Sequence, residues 1–308
     1  MKVLITGATG LIGNTICRCL LDNGHVPAAL TRDKKMAEKF VHARTHIIQW
    51  DTSDSRDTSV PPWHERCGEI DAVINLAGAS IAEGRWNASR KRLILSSRIN
   101  ATRSIVEAIN SRKIKPALLI NASAVGYYGS HTNRQFTEKD GPGRGFLAEV
   151  CAQWEAEAAK LERRDVRLVL LRTGMVLSRD GGALTKMLPV FRPGLGGRLG
   201  SGGQWTSWIH IDDLMSLLLF LLTNAIEGPV NATAPHPVSN AEFTKALGSA
   251  LGKPAFLAVP GFILRLRYGE MAEMLLEGQN VLPEKLHNAG FQFTYPNISP
   301  ALESIFHS

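Results

Sequence analysis

An α/β fold built on a doubly wound parallel sheet is what this sequence predicts, and three observations predict it. Short β-rich runs alternate with helical patterns through the first half of the chain, as they do when helices cover both faces of a parallel sheet. The runs "VLIT", "AVINLA", "ALLINA" and "RLVLLR" are almost continuously apolar, which fits strands buried on both faces. A glycine turn follows the first run directly and opens a helical pattern.

Taken in order, the predicted strands are Lys2–Thr6, Val26–Thr31, Thr45–Gln49, Ala72–Leu76, Ala117–Ala122 and Arg167–Arg172, with Gly228–Ala232 as a further one. Helical spacing predicts helices over Leu11–Asn23, Asp33–Ala43, Arg85–Ser111 and Phe146–Arg163, and Gly24 stands where a helix C-cap belongs. Residues 179–207 are rich in glycine and lack periodicity, which predicts a functional loop or lid. "WIHIDDL" then returns to a strand-to-helix pattern, and the last seventy or so residues read as mostly helical, with Ala241–Leu251 and Arg265–Leu276 the clearest helices. Two parts are therefore expected: residues 1–178 with 206–233 as the sheet domain, and 179–205 with 234–308 as a smaller substrate or lid domain.

Composition removes several classes. At 308 residues, 44% apolar and 20% charged, the chain has material for a large core, and disorder is excluded as its main state. The apolar run Leu214–Leu222, broken by Ser216, is too short to cross a bilayer, and the amino terminus enters a strand without a signal peptide's length. Four scattered cysteines (Cys17, Cys19, Cys67, Cys151) fit neither a disulfide framework nor zinc-finger spacing, so a reducing, cytoplasmic setting is expected. The net charge of +7 favours anionic partners without choosing among them. Without a dense Lys/Arg run, and with only four tyrosines to interleave, nucleic acid is not the expected partner, nor, without a spanning segment, is a membrane; a small molecule is.

The glycine turn reads Thr6-Gly7-Ala8-Thr9-Gly10-Leu11-Ile12-Gly13. Glycines at this spacing allow a tight turn and a close backbone approach to a pyrophosphate, which then meets the positive end of the helix. Any strand-to-helix turn can use glycine for structural reasons alone, but placement in the first strand-helix unit of a parallel sheet favours nucleotide binding by Gly7, Thr9, Gly10, Leu11, Ile12 and Gly13. At the tip of the second strand an acid would select NAD, whereas arginine accommodates the extra phosphate of NADP. This sequence has Thr31-Arg32 there, so NADP is the predicted cofactor, and Asp33 reads as the N-cap of the next helix.

Together with "NLAG" (Asn75–Gly78), this turn resembles the extended short-chain dehydrogenase/reductase superfamily. "LTR", "NLAGASIAEGRW", "SSRI", "GGALTKMLPVF", "GSGGQWTSWIHIDDL" and "LLEGQNVLPEKL" extend the likeness across nearly the whole chain, to the superfamily's atypical epimerase family of NADP-dependent, nucleotide-sugar-epimerase-like proteins. The resemblance implies a Rossmann sheet, with Leu76, Ala77 and Gly78 passing the ribose, Arg98 touching the cofactor, Val176 near the nicotinamide, and a homodimer formed through outer helices. Read from the residues alone, Leu76, Ala77 and Val176 could equally be core, and Arg98 a solvated helix position.

The catalytic pattern departs from the superfamily. Its Tyr-x-x-x-Lys pair is absent, and on "FLAEVCAQWE" the two positions fall at Leu147 and Cys151. Ser123 resembles the superfamily's carbonyl-binding serine, and water or Tyr128 is the expected substitute acid; packing is the alternative for both side chains. Thr206 stands where the superfamily's sugar-nucleotide epimerases place a diphosphate-binding arginine. His210, Asp212 and Asp213 are expected to cap the helix at Leu214 and tie sheet to loop. Trp205 and Trp208 are expected to shape the lid. The predicted function is NADP-dependent hydride transfer on a small carbonyl or alcohol, of oxidoreductase or epimerase type. The alternative is a non-catalytic NADPH-binding sensor or scaffold.

Overall fold

The computed structural model describes residues 1–50, 62–131 and 133–307. Seven parallel strands form the main sheet: β1 (Lys2–Thr6), β2 (Val26–Thr31), β3 (His46–Gln49), β4 (Ala72–Asn75), β5 (Leu118–Ala124), β6 (Arg167–Thr173) and β7 (Gly228–Ala232). Their order across the sheet is β7-β6-β5-β4-β1-β2-β3. The direction of winding reverses between β1 and β4, where Thr6 pairs with Asn75, and in open α/β sheets this switch point is where ligands enter the crevice beyond the carboxyl ends of the strands.

Helices α1 (Leu11–Asp22), α2 (Lys34–Phe40), α3 (Ala88–Asn110) and α4 (Phe146–Ala158) lie in four of the five connections between the first six strands. The strand period of two sends β1 side chains to opposite faces. Val3 and Ile5 meet Ile16 and Leu20 of α1 and the leucines of α6 (Ile211–Thr223), while Leu4 meets Ile105, Val106 and Ile109 of α3 on the other side. Asp33 caps α2 as predicted, its carboxylate accepting from Met36 N at 2.9 Å.

Two expectations need correction. The glycine-rich stretch contains a regular helix, α5 (Gly182–Phe191), whose single apolar side buries Leu184, Leu188 and Phe191; flanking glycines and Pro189 mask its period in the sequence. The helix expected over 265–276 is broken. It begins earlier, as α8 (Gly261–Tyr268) after α7 (Asn240–Ala250), and stops at Gly269, whose φ of +61° no helix interior accepts. A 3₁₀ turn and one short helical turn follow, and α9 (Ile298–His307) closes the mostly helical carboxyl-terminal region. Among the described residues no helix is long and apolar enough to cross a membrane.

Candidate functional site

The glycine turn is built for close approach. Gly7 has a φ of +68°, and a Cβ there would stand 2.8 Å from the Leu76 carbonyl oxygen, so glycine is needed for both conformation and space. A Cβ on Gly13 would overlap the Gly7 carbonyl. Gly10 sits at the N-cap of α1 with no side chain to cap it, so the first N–H groups of the helix face the crevice without an internal acceptor. Thr9 and Gly10 are exposed, and Leu11 and Ile12 are half-buried at the helix start. This arrangement suits an anion: donors converge with the positive helix end, and no side chain fills the cradle.

A buried polar network holds the turn against the end of β4. Thr6 Oγ1 donates to Asn75 Oδ1 at 2.6 Å and accepts from the backbone N–H of Leu76 and Ala77, each at 3.0 Å. Asn75 Nδ2 reaches Asn121 Oδ1 at 2.6 Å and Thr102 Oγ1 at 3.0 Å, and Trp154 Nε1 donates to Thr102 Oγ1 at 2.8 Å. Leu76, Ala77 and Gly78 therefore run beside the glycine turn in one fixed path. Arg98 lies under that path, its Nη1 donating to Ala79 O and Ile94 O and its guanidinium stacked over Trp154. A Cβ on Gly78 would press on the Arg98 guanidinium, at 3.0 Å from Cζ.

At the tip of β2, Thr31 is half-buried, and the exposed Arg32 is held through its carbonyl by Gln49 Nε2 at 2.8 Å. Val176 pairs with Ile209 and packs half-buried at the edge of the core. Gly181 and Gly182, in the stretch expected to form a loop or lid, lie against Leu11 of the glycine turn, a Cβ on either falling within 3.3–3.4 Å of its side chain.

The proposed catalytic pair is placed differently from expectation. Ser123, at the end of β5, is nearly buried and donates its one hydroxyl proton to Glu155 Oε1 at 2.6 Å, so it has none left for a substrate carbonyl. Tyr128 is fully buried, its hydroxyl donating to Asn231 Oδ1 at 2.7 Å and accepting from Arg172 Nη1 at 2.9 Å. Burial pushes its phenol up to about 12, and it has no face toward the crevice. Both side chains belong to a hidden ion-pair network that the sequence did not reveal: Arg172 Nε and Nη2 donate to Glu155 Oε1 and Oε2 at 2.9 and 2.8 Å.

Tyr127, the neighbour of Tyr128, is only half-buried, and its ring lies 3.6 Å from the Arg172 guanidinium carbon. Burial raises its phenol pKa, opposed by the charge of Arg172 and a hydrogen bond from it. Cys151 is buried beside Ser123, its thiol pushed up to about 11, so it is a neutral thiol and not a replacement for a lysine. Leu147 packs on Gly126 and joins Phe146, Met271 and Met274 in an apolar cluster. His210 Nδ1 accepts from Asp212 N and caps α6, while buried Asp213 accepts from Thr294 N and Tyr295 N at 2.7 and 2.9 Å.

Residues 3–233, the sheet and the glycine cradle together, match the model of the NAD dependent epimerase/dehydratase family. The chain belongs to that family. Residues 259–305 of this epimerase-family chain also match a domain of unknown function, DUF1731. A chloroplastic SDR39U1 homologue of Arabidopsis thaliana, called an epimerase family protein, is 42% identical over 99% of this chain and 86% of its own length. An epimerase family protein of Staphylococcus saprophyticus is 41% identical over 99% of both. The crystal structure of human epimerase family protein SDR39U1 with NADPH superposes with a TM-score of 0.89 at 33% identity, covering all of both chains. As an epimerase-family member the chain thus has a Rossmann-type sheet and the site of a nicotinamide dinucleotide.

Proposed function

We propose that this chain binds NADP(H) and performs hydride transfer on a small carbonyl or alcohol. The observation that carries the reading is the uncapped start of α1 above a side-chain-free cradle, with the Arg32 guanidinium at the tip of the adjacent strand. In this reading Gly7, Gly10 and Gly13 admit the pyrophosphate, and the N–H groups of Leu11 and Ile12 bind it. Thr31 and Arg32 take the 2′-phosphate by charge-assisted hydrogen bonds. Leu76, Ala77 and Gly78 pass the ribose, Arg98 braces their path, and Val176 walls the nicotinamide end. The NADPH in the human relative's crystal structure supports the same choice of nucleotide. When bound, the nicotinamide supplies or accepts the hydride.

The proton is the part this chain must supply, and in this reading Tyr127, the half-buried member of the tyrosine pair, holds it. Tyr127 stands in the turn after β5, and the charge of Arg172, stacked on its ring, with a hydrogen bond from it partly offsets the burial that raises the phenol pKa. Ser123 acts one step back, through Glu155, as a positioning residue. Residues 1–178 with 206–233 form the cofactor part in this reading, and 179–205 with 234–308 the substrate part. Four unpaired cysteines support a reducing, cytoplasmic location. A second reading, a non-catalytic NADPH sensor, is favoured by one observation: neither Leu147 nor Cys151 can move a proton at neutral pH.

Following NADPH absorbance across a panel of aldehydes and ketones separates them. Turnover that falls about 100-fold in Tyr127→Phe, with NADPH binding unchanged, supports the enzyme and its acid. Wild-type protein that binds NADPH but reduces no member of the panel supports the sensor. Equal turnover by both proteins removes Tyr127 from the mechanism.

A further inference from the structure

The positive charge of this chain is concentrated where its surface is most apolar. Residues 181–211 contain no Asp or Glu and carry Lys186, Arg192 and Arg198; residues 243–269 contain none either and carry Lys245, Lys253, Arg265 and Arg267. Removing these seven cations from the 35 of the chain leaves 28, equal to its 28 acids, so the two stretches hold the entire excess of +7.

The stretches lie side by side. Leu257 N donates to Gly196 O at 3.2 Å, Val259 N to Arg198 O at 2.9 Å, and Leu199 bridges Val259. Large apolar side chains project from the joined surface: Leu195 is 56% exposed, Phe256 78%, Phe262 69% and Leu266 77%. Phe262 and Leu266, four apart on α8, share one side of that helix, and Arg265 and Arg267 are exposed beside them. The helix is held in place from behind: Arg85 Nη2 and Nε donate to the Leu266 and Arg267 carbonyls, Glu270 pairs with Lys91, and Leu264 is buried.

We propose that this surface docks on an anionic lipid bilayer, with the rings and leucines entering the headgroup boundary and the cations meeting acidic headgroups. Three features choose this occupant. A second copy of the chain would bring these two cation-rich stretches, neither with an acid of its own, face to face with themselves, which like charge opposes. A folded protein partner would need a pocket matched to each projecting side chain, whereas a lipid interface accepts them wherever they stand. Exposed Phe and Leu interleaved with Arg on a short amphipathic helix is the pattern of interfacial binding. The expectation of no membrane partner, drawn from the lack of a spanning segment, is replaced here by surface attachment, which needs no such segment.

Sedimentation of the full chain with vesicles tests the proposal. The chain is expected to co-sediment with phosphatidylcholine vesicles containing about 30% phosphatidylglycerol, to leave pure phosphatidylcholine vesicles unbound, and to dissociate as salt screens the headgroups. Arg265→Gln with Arg267→Gln should weaken binding about 30-fold, at about 1 kcal/mol for each cation lost near the surface. Phe262→Ser with Leu266→Ser should weaken it by about tenfold or more, while Leu93→Ser, an exposed leucine on α3, leaves it unchanged. Thermal melts of all variants should match wild type, since the substituted side chains are exposed. Absence of binding to the anionic vesicles overturns the proposal. So does binding indifferent to Phe262 and Leu266, or equal binding to soluble polyglutamate, either of which shows charge alone. A dimer in light scattering that the Phe262/Leu266 variant abolishes assigns the surface to a second copy instead.

Discussion

The Glu155 carboxylate accepts from two Arg172 nitrogens and from Ser123, with both charged side chains under a tenth exposed. Removing one member of such a pair strands the other in a medium that solvates it poorly. Glu155→Ala should therefore cost about 3–5 kcal/mol of stability in urea denaturation. A loss under about 1 kcal/mol would mean that water reaches Arg172 and that the pair is not closed. None of this was legible in the sequence. In "AQWEAEAAK" the acids at 155 and 157 look alike and are equally buried, and only the packing of α4 gives Glu155 the buried Arg172 as its partner, while Glu157 meets the exposed Arg103 and Lys160. Tyr127 and Tyr128 are likewise adjacent and chemically identical. The 3₁₀ turn after β5 buries Tyr128 and leaves Tyr127 half-open, a difference that no feature of the sequence announces.

The glycine turn and α1 were legible because each glycine answers a local demand: a left-handed φ at Gly7, lack of room at Gly13, an open helix end at Gly10. These demands can be separated by substitution. Gly10 has an ordinary φ of −79°, and a Cβ there meets only the Gly7 carbonyl at 3.4 Å. Gly10→Asp should fold and gain about 0.5 kcal/mol from the new N-cap in thermal or urea unfolding. The same carboxylate would occupy the anion cradle, so NADPH binding in calorimetry should be lost. A variant that keeps NADPH affinity would show that the dinucleotide does not use this helix end. The Asp33 cap and the seven predicted strands were readable for similar local reasons. Helix α5 and the break at Gly269 were not, since their ends depend on how the carboxyl-terminal region packs on the sheet.

Across the whole molecule, Asp213 joins the sheet domain to the tail. It is fully buried on α6, and it accepts two backbone N–H bonds from Thr294 and Tyr295, eighty residues on. Asp213→Ala should cost about 2 kcal/mol by removing two hydrogen bonds from part-buried backbone N–H groups to a buried carboxylate, and hydrogen exchange should rise at Thr294 and Tyr295 before it rises in β1. Uniform loss of protection throughout the chain would instead mean that sheet and tail unfold as one unit. The sequence identified the His210–Asp213 cluster as structural, and its position between α6 and the tail accounts for that: one side chain caps a helix and another anchors a remote loop.

The central claim, that the crevice above β1 and β2 is an NADP(H) site, is tested most directly by calorimetry of NADPH and NADH on wild type and Arg32→Ala. Wild type should bind NADPH more tightly than NADH, and the substitution should cost NADPH roughly 1.5–3 kcal/mol while leaving NADH unaffected. Equal affinity for both nucleotides in both proteins would contradict the assignment of Arg32 and, with it, the choice of cofactor.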